Sequence, residues 1–165
     1  ERAANDALNL APVPPHPKLS ADIIAAAQKS ERAWGVPASV TLAQFALESA
    51  WGTKLAAPFN PFGIKAKPGE PQTVANTREE RPDGSSYYIN AGFRKFSSFA
   101  EAFDAHGKLL GTAGVYAKAR ATLPDPDAFA DALTGVYATA GNYGTVLKSI
   151  MRSQGLYRYE VGGKA

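Results

Sequence analysis

The sequence predicts an α+β fold that is mainly α-helical, with one small β-hairpin set between its helices. Three observations carry that expectation. Apolar residues recur at helical spacing before residue 52 and again after residue 98; the spacing vanishes in the Pro- and Gly-punctuated stretch from Pro58 to Phe96; and within that stretch Arg81-Pro82-Asp83-Gly84 is a turn signal between two extended runs. At 165 residues the chain can bury one core but not two substantial ones.

In chain order, residues 1–18 end in Ala11-Pro12-Val13-Pro14-Pro15-His16-Pro17, which favours extended backbone and cannot continue a helix. They are expected to form a linker or a surface-draped arm, ahead of one catalytic domain over 19–165. Ser20 is the expected N-cap of an amphipathic helix carrying Ile23, Ile24, Ala27 and Trp34 and ended near Gly35. Pro37 suits the first turn of a second helix, whose nearly apolar interior, Val40 to Leu47, marks it as buried until it ends around Trp51-Gly52. Thr73 to Glu80 and Ser85 to Ile89 are the expected strands of a hairpin lobe spanning about 70–96. Ser98-Phe99-Ala100-Glu101 has capping-box form and opens a helix through about Leu110. A short helix is expected over 113–121, another from Asp125 or Asp127 carrying Phe129, Leu133 and Val136, and a last one over Asn142 to Gln154.

Composition removes several chemistries. Apolar residues make up 45% and charged residues 20%, the balance of a globular protein. No apolar run approaches the ~20 residues of a membrane span. With no cysteine and only His16 and His106, disulfides, thiolate chemistry and the usual zinc sites are excluded, so no cofactor or metal is expected and carboxylates become the leading catalytic candidates. The net charge of +3 favours an anionic partner, but Lys and Arg are scattered and no nucleic-acid motif accompanies them.

Glu48 stands at the C-terminal end of the apolar helix, in Phe45-Ala46-Leu47-Glu48-Ser49-Ala50-Trp51-Gly52. Burial there would raise its pKa, and the negative end of the helix dipole would act in the same direction. A carboxyl kept protonated near neutral pH is what a glycosidase needs to protonate a leaving oxygen. Helix physics alone leaves a second reading open, in which Glu48 pairs with a cation such as Lys54.

Thr41 to Gly52, then Asn60-Pro61-Phe62-Gly63-Ile64-Lys65-Ala66, then Tyr137 to Tyr143 resemble, in order, three motifs of the bacterial N-acetylglucosaminidases of glycoside hydrolase family 73. The resemblance covers roughly Leu19 to Tyr159. It implies a lysozyme-like α-lobe with a small β-hairpin lobe forming a substrate groove, and cleavage of the β-1,4 bond after N-acetylglucosamine in peptidoglycan. Glu48 falls on the family's catalytic acid. The family's Thr-x-Glu pattern on the hairpin falls on Thr77-Arg78-Glu79 and makes Glu79 the second carboxylate, while counting back from Phe93-Arg94 selects Glu80. Neighbouring strand residues face opposite sides, so one of the two points into the groove. Without the resemblance, both read as solvated residues beside Arg78 and Arg81.

Tyr143 matches the tyrosine beside the acid, where it would orient the carboxyl or the substrate's acetamido group. Tyr137 and Asn142 share its segment, and Asn60 and Phe62 are expected to shape the groove floor. Trp51 would either stack on a sugar or pack the helix end. His106, among phenylalanines, reads as a core histidine. Ala140 departs from the family, which commonly has aspartate there. The resemblance leaves the second step open among a water-activating Glu79, a retaining route in which the second carboxylate is the nucleophile, and attack by the substrate's own acetamido group. The rival readings are a muramidase or lytic transglycosylase on the same architecture, and a non-catalytic peptidoglycan-binding module. Expected partners are peptidoglycan glycan strands, met by a monomer in the periplasm or at the cell wall, either alone or within a larger chain or delivery assembly.

Overall fold

The computed structural model describes residues 13–162. Residues 1–12 of the expected arm and the last three residues of the chain lie outside that range. Of the rest of the arm, Val13 packs against the core and His16 is buried.

Helix α1 (Ala21–Trp34) starts where Ser20 Oγ accepts from Ile23 N at 3.2 Å and stops at Gly35, which takes φ 85°. Helix α2 (Ala38–Ser49) is buried from Ala38 through Ala46, as its apolar run requires. Its end is built with unusual firmness. Ala50, Trp51 and Gly52 follow one another at φ 49°, 60° and 85°, a conformation costing L-residues roughly 1–2 kcal/mol each. Ser49 holds this turn by donating to Phe45 O at 2.6 Å while accepting from Gly52 N at 2.8 Å. A Cβ on Gly52 would sit 2.8 Å from Phe45 Cζ, so backbone angle and space both require glycine there. Glu48 thus lies on a last helical turn that cannot slide.

Strands β1 (Gln72–Glu80) and β2 (Ser86–Arg94) pair antiparallel from Gln72↔Arg94 to Glu80↔Ser86. Their turn is closed by Arg81 N to Ser85 O at 2.7 Å and by Asp83, whose carboxylate accepts from Ser85 N at 2.9 Å. β2 runs five residues beyond the expected Ile89 because backbone pairing needs no apolar side chain at Asn90 or Gly92. The added length delivers Ala91 and Phe93 onto Ala57, a small apolar cluster separate from the main core.

Helix α3 (Phe99–Thr112) opens with half of the expected capping box. Ser98 Oγ accepts from Glu101 N at 3.1 Å, but the Glu101 carboxylate reaches Ser97 N at 2.8 Å rather than Ser98. α3 lies against α1 closely enough that a Cβ on Gly107 would fall 2.0 Å from Ser30 Oγ. A single 3₁₀ turn (Gly114–Tyr116) leads to α4 (Ala117–Arg120), then α5 (Pro126–Ala132), capped by Asp125, which accepts from Asp127 N and Ala128 N. The expected continuation of α5 through Val136 does not occur. The helix ends at Ala132, Gly135 turns at φ 79°, and Val136 is exposed. Helix α6 (Tyr143–Ser153) and a 3₁₀ turn (Leu156–Tyr159) complete the lobe. Leu42, Phe103, Leu110, Phe129, Leu133 and Leu147 are fully buried at its centre.

Candidate active site

Between the helices and the hairpin runs a groove of about 1260 Å³. One wall presents Glu48, Phe62, Tyr116 and Tyr137; the other presents Thr77, Arg78, Glu79 and Glu80 from β1. The hairpin is stitched to the groove floor by Ala66 N to Gly92 O at 2.8 Å and Arg94 N to Ile64 O at 2.9 Å. Its far end touches the opposite wall, where Thr139 Oγ1 donates to Glu80 O at 3.1 Å.

Glu48 accepts the Tyr143 hydroxyl proton on Oε2 at 2.9 Å. Contrary to the expected deep burial, Glu48 as a residue is exposed, because its carboxyl looks into the open groove. The surrounding lobe still strips part of its hydration and raises its pKa above the usual carboxylate range, while the Tyr143 hydrogen bond pulls the other way by favouring the ionised form. Among the described residues Glu48 makes no ion pair within 4 Å, so the pairing with Lys54 does not form.

Both hairpin glutamates line the groove and both are half-buried. Thr73, Ala75, Thr77 and Glu79 share the half-buried face of β1, and Val74, Asn76 and Arg78 share the exposed one. Glu79 stands with the half-buried set, 3.9 Å from Lys65 Nζ. Glu80 follows on the opposite strand parity, at the end of β1 where the alternation of burial stops, and its carbonyl accepts from Thr139 Oγ1.

The other expected residues divide between the groove and its supports. Tyr137 lines the groove, donates to Phe62 O at 3.1 Å and stacks on Tyr143 at 5.8 Å between centroids. Phe62 is buried and stacks on His106 at 4.2 Å. Asn60 does not reach the groove. It is fully buried, donating to Ile64 O and Arg94 O and accepting from Ile64 N, which ties the floor loop to the end of β2. Trp51 is likewise outside the groove, because the left-handed turn after α2 aims it at the N-terminal segment, where it stacks on His16 at 5.5 Å under the Lys18 ammonium. Asn142 is exposed at the start of α6 and makes no side-chain cap bond. Ala140 lines the groove and its carbonyl accepts from Tyr143 N at 3.1 Å, so the backbone supplies the loop closure at this position.

Residues 24–156 match the model of the Glucosaminidase family, described as mannosyl-glycoprotein endo-beta-N-acetylglucosaminidase. The chain belongs to this glucosaminidase family. It is 33% identical to an autolysin of Enterococcus faecalis over 92% of its own length and 22% of the relative's. A probable N-acetylmuramidase of Lactococcus lactis is 34% identical over 79% of this chain and 32% of that protein. The glucosaminidase chain therefore spans about a fifth to a third of these relatives. Among solved structures, the catalytic domain of the autolysin Auto from Listeria monocytogenes superposes with a TM-score of 0.72 at 27% identity, covering 96% of both chains. The glucosaminidase fold is thus the lysozyme-like one, α-lobe and hairpin lobe flanking a groove, and the chain is a glycoside hydrolase domain.

Sequence reasoning missed the groups behind the glucosaminidase groove. Gln44, one turn before Glu48, donates to the Tyr143 hydroxyl at 3.0 Å and meets His106 Nε2 at 2.8 Å. The helical spacing of Gln44 from Glu48 was the available signal, since residues four apart share a face. Thr139 and Lys65 had none, because their partners are brought in by the hairpin.

Proposed function

We propose that this chain hydrolyses the β-1,4 bond between N-acetylglucosamine and N-acetylmuramic acid in peptidoglycan, as an endo-β-N-acetylglucosaminidase acting in the periplasm or at the cell wall. The observation that carries the reading is Glu48, its pKa raised, facing the groove from the end of α2 with the Tyr143 hydroxyl on its carboxylate. Protonated Glu48 donates to the glycosidic oxygen as the bond to the anomeric carbon breaks. Glu79, on the groove face of β1, takes a proton from the water that attacks that carbon. The sugar binds over Tyr137 and Phe62, with Asn60 and Trp51 supporting the site from beneath and beside it. A domain within a larger chain is in keeping with the relatives' greater lengths.

Attack by the substrate's acetamido group is less favoured. In that route Tyr143 would serve the substrate, yet its proton is committed to Glu48 and its oxygen already accepts from Gln44. A muramidase reading is prompted by the description of the Lactococcus relative. Mass spectrometry of digested peptidoglycan decides between them. New reducing-end N-acetylglucosamine is expected; reducing-end muramic acid or an anhydromuramic end overturns the proposal. Lysis by Glu48→Gln equal to that of the parent removes Glu48 as the acid, and absence of lysis by either protein, with intact wall binding, supports a binding module.

A further inference from the structure

Behind Tyr143 the α-lobe holds a file of buried polar groups. His106 on α3 and Gln44 on α2 are both 0% exposed, and buried polar side chains persist only when hydrogen-bonded. His106 Nε2 lies 2.8 Å from Gln44 Oε1, Gln44 Nε2 donates to the Tyr143 hydroxyl at 3.0 Å, and that hydroxyl donates to Glu48 Oε2 at 2.9 Å. Three helices and a groove-facing carboxylate are thereby joined in one line.

The innermost member determines the direction of the line. Complete burial holds the His106 imidazole down at about 3, so near neutral pH it is uncharged and carries one N–H. Among the described residues its Nδ1 has no hydrogen-bond partner. A buried N–H without an acceptor is rarer and costlier than a bare lone pair, so the proton belongs on Nε2, facing Gln44 Oε1. Gln44 must then turn its NH₂ toward Tyr143. The phenol oxygen accepts that proton, and the phenol proton is left for Glu48. In the opposite arrangement Gln44 would offer Oε1 to Tyr143, and the phenol proton would leave Glu48.

We infer that Gln44 and His106 are positioning residues that hold the Tyr143 proton on Glu48. The inference rests on Glu48 being the proton donor. Its chemical sense is that the acid is kept in one rotamer, its Oε2 bonded and its Oε1 free to face the glycosidic oxygen. The bond also opposes the rise in the Glu48 pKa, so its loss moves the alkaline limb of activity to higher pH. On the lobe, Tyr116, Tyr137 and Lys108 share the groove with Glu48. Opposite stand Arg78, Glu79, Glu80 and Arg94, with Lys65, Lys67 and Glu70 at the floor. None of these changes in the variants below.

The test uses Gln44→Met, His106→Phe and His106→Gln on this chain with peptidoglycan. Gln44→Met and His106→Phe are expected to lower kcat about tenfold, the equivalent of one modest hydrogen bond in the transition state, with KM unchanged and the alkaline limb moved upward. His106→Gln, which keeps a donor toward Gln44, restores part of both. Folded variants with the parent's pH profile, or with changes in KM alone, overturn the inference. Nitrogen NMR of histidine in the wild-type chain decides independently of whether any variant folds. His106 is expected to remain a neutral Nε2–H tautomer from pH 5 to pH 9, and an Nδ1–H tautomer or a titrating His106 ring, told from His16 by a His16→Gln control, overturns the inference. Activity retained by Glu48→Gln would instead remove the underlying acid assignment, whatever the tautomer.

Discussion

Phe103, Phe129, Leu133 and Leu147 of the α-lobe are fully buried, whereas Val74 and Tyr88 of the hairpin are 64% and 66% exposed. The two halves of the groove therefore hold their carboxyls by different means. Glu48 rides on a helix embedded in core, with a turn locked by Ser49 and Gly52 and a hydrogen bond from Tyr143. Glu79 rides on a two-stranded ribbon whose own cluster is Ala57, Ala91 and Phe93, anchored otherwise by backbone bonds to residues 64–66 and by Thr139. Two-stranded hairpins are marginal alone and depend on such packing. The contrast teaches that the carboxyl proposed to donate the proton sits on the stiff half, while the carboxylate proposed to activate water sits on the half with the lower cost of local opening.

The comparison is tested hardest by Glu48→Gln, which should lower kcat by about 10²–10⁴-fold, the usual worth of a positioned general acid, measured by release of soluble muropeptides. Next in size, Phe103→Ala should cost about 3–5 kcal/mol of unfolding free energy, whereas Tyr88→Ala on the outer hairpin face should stay within about 0.5 kcal/mol; urea denaturation of both would break the comparison if the two costs were alike. Glu79→Gln should lower kcat about 10²-fold, at the lower end of the general acid-base range, and Glu80→Gln should leave it close to the parent's. Equal losses would show that strand parity does not select the carboxylate.

The smallest effect concerns pH and stability. The folded-state pKa of Glu48 is raised, so its contribution is fully present below the unfolded value and is lost as pH rises through the folded value. Glu48→Gln, which cannot ionise, should therefore melt slightly above the parent at pH 8 and level with it at pH 4, read by calorimetry. A parent that gains on the variant as pH rises would mean that Glu48 is stabilised in its charged form.

Much of this fold was legible because its signals are local. Ser20, Asp125 and Ser98 announce helix starts, Gly35 and Gly52 announce ends, and Pro82-Asp83-Gly84 sits within the hairpin turn. Where local signals conflicted, the reading slipped. Val136 continued a helical spacing that Gly135 had already ended, and Asn90 and Gly92 hid strand residues whose pairing is made by backbone. Trp51 read as a possible sugar platform because an aromatic beside an acid invites it, but its direction is set by three consecutive left-handed residues.

By itself the sequence determined the helices, the hairpin, the carboxyl at the end of an apolar helix and the family, all of which depend on neighbours a few residues apart. Only tertiary structure decided that the end of β1 lies across the groove from Glu48, and that Asn60 is a buried brace. It alone also joined His106 to Gln44 across 62 positions and Tyr143 to Glu48 across 95. Hydrogen bonds act over about 3 Å of space and carry no trace of the chain length between their partners, so no periodicity records them.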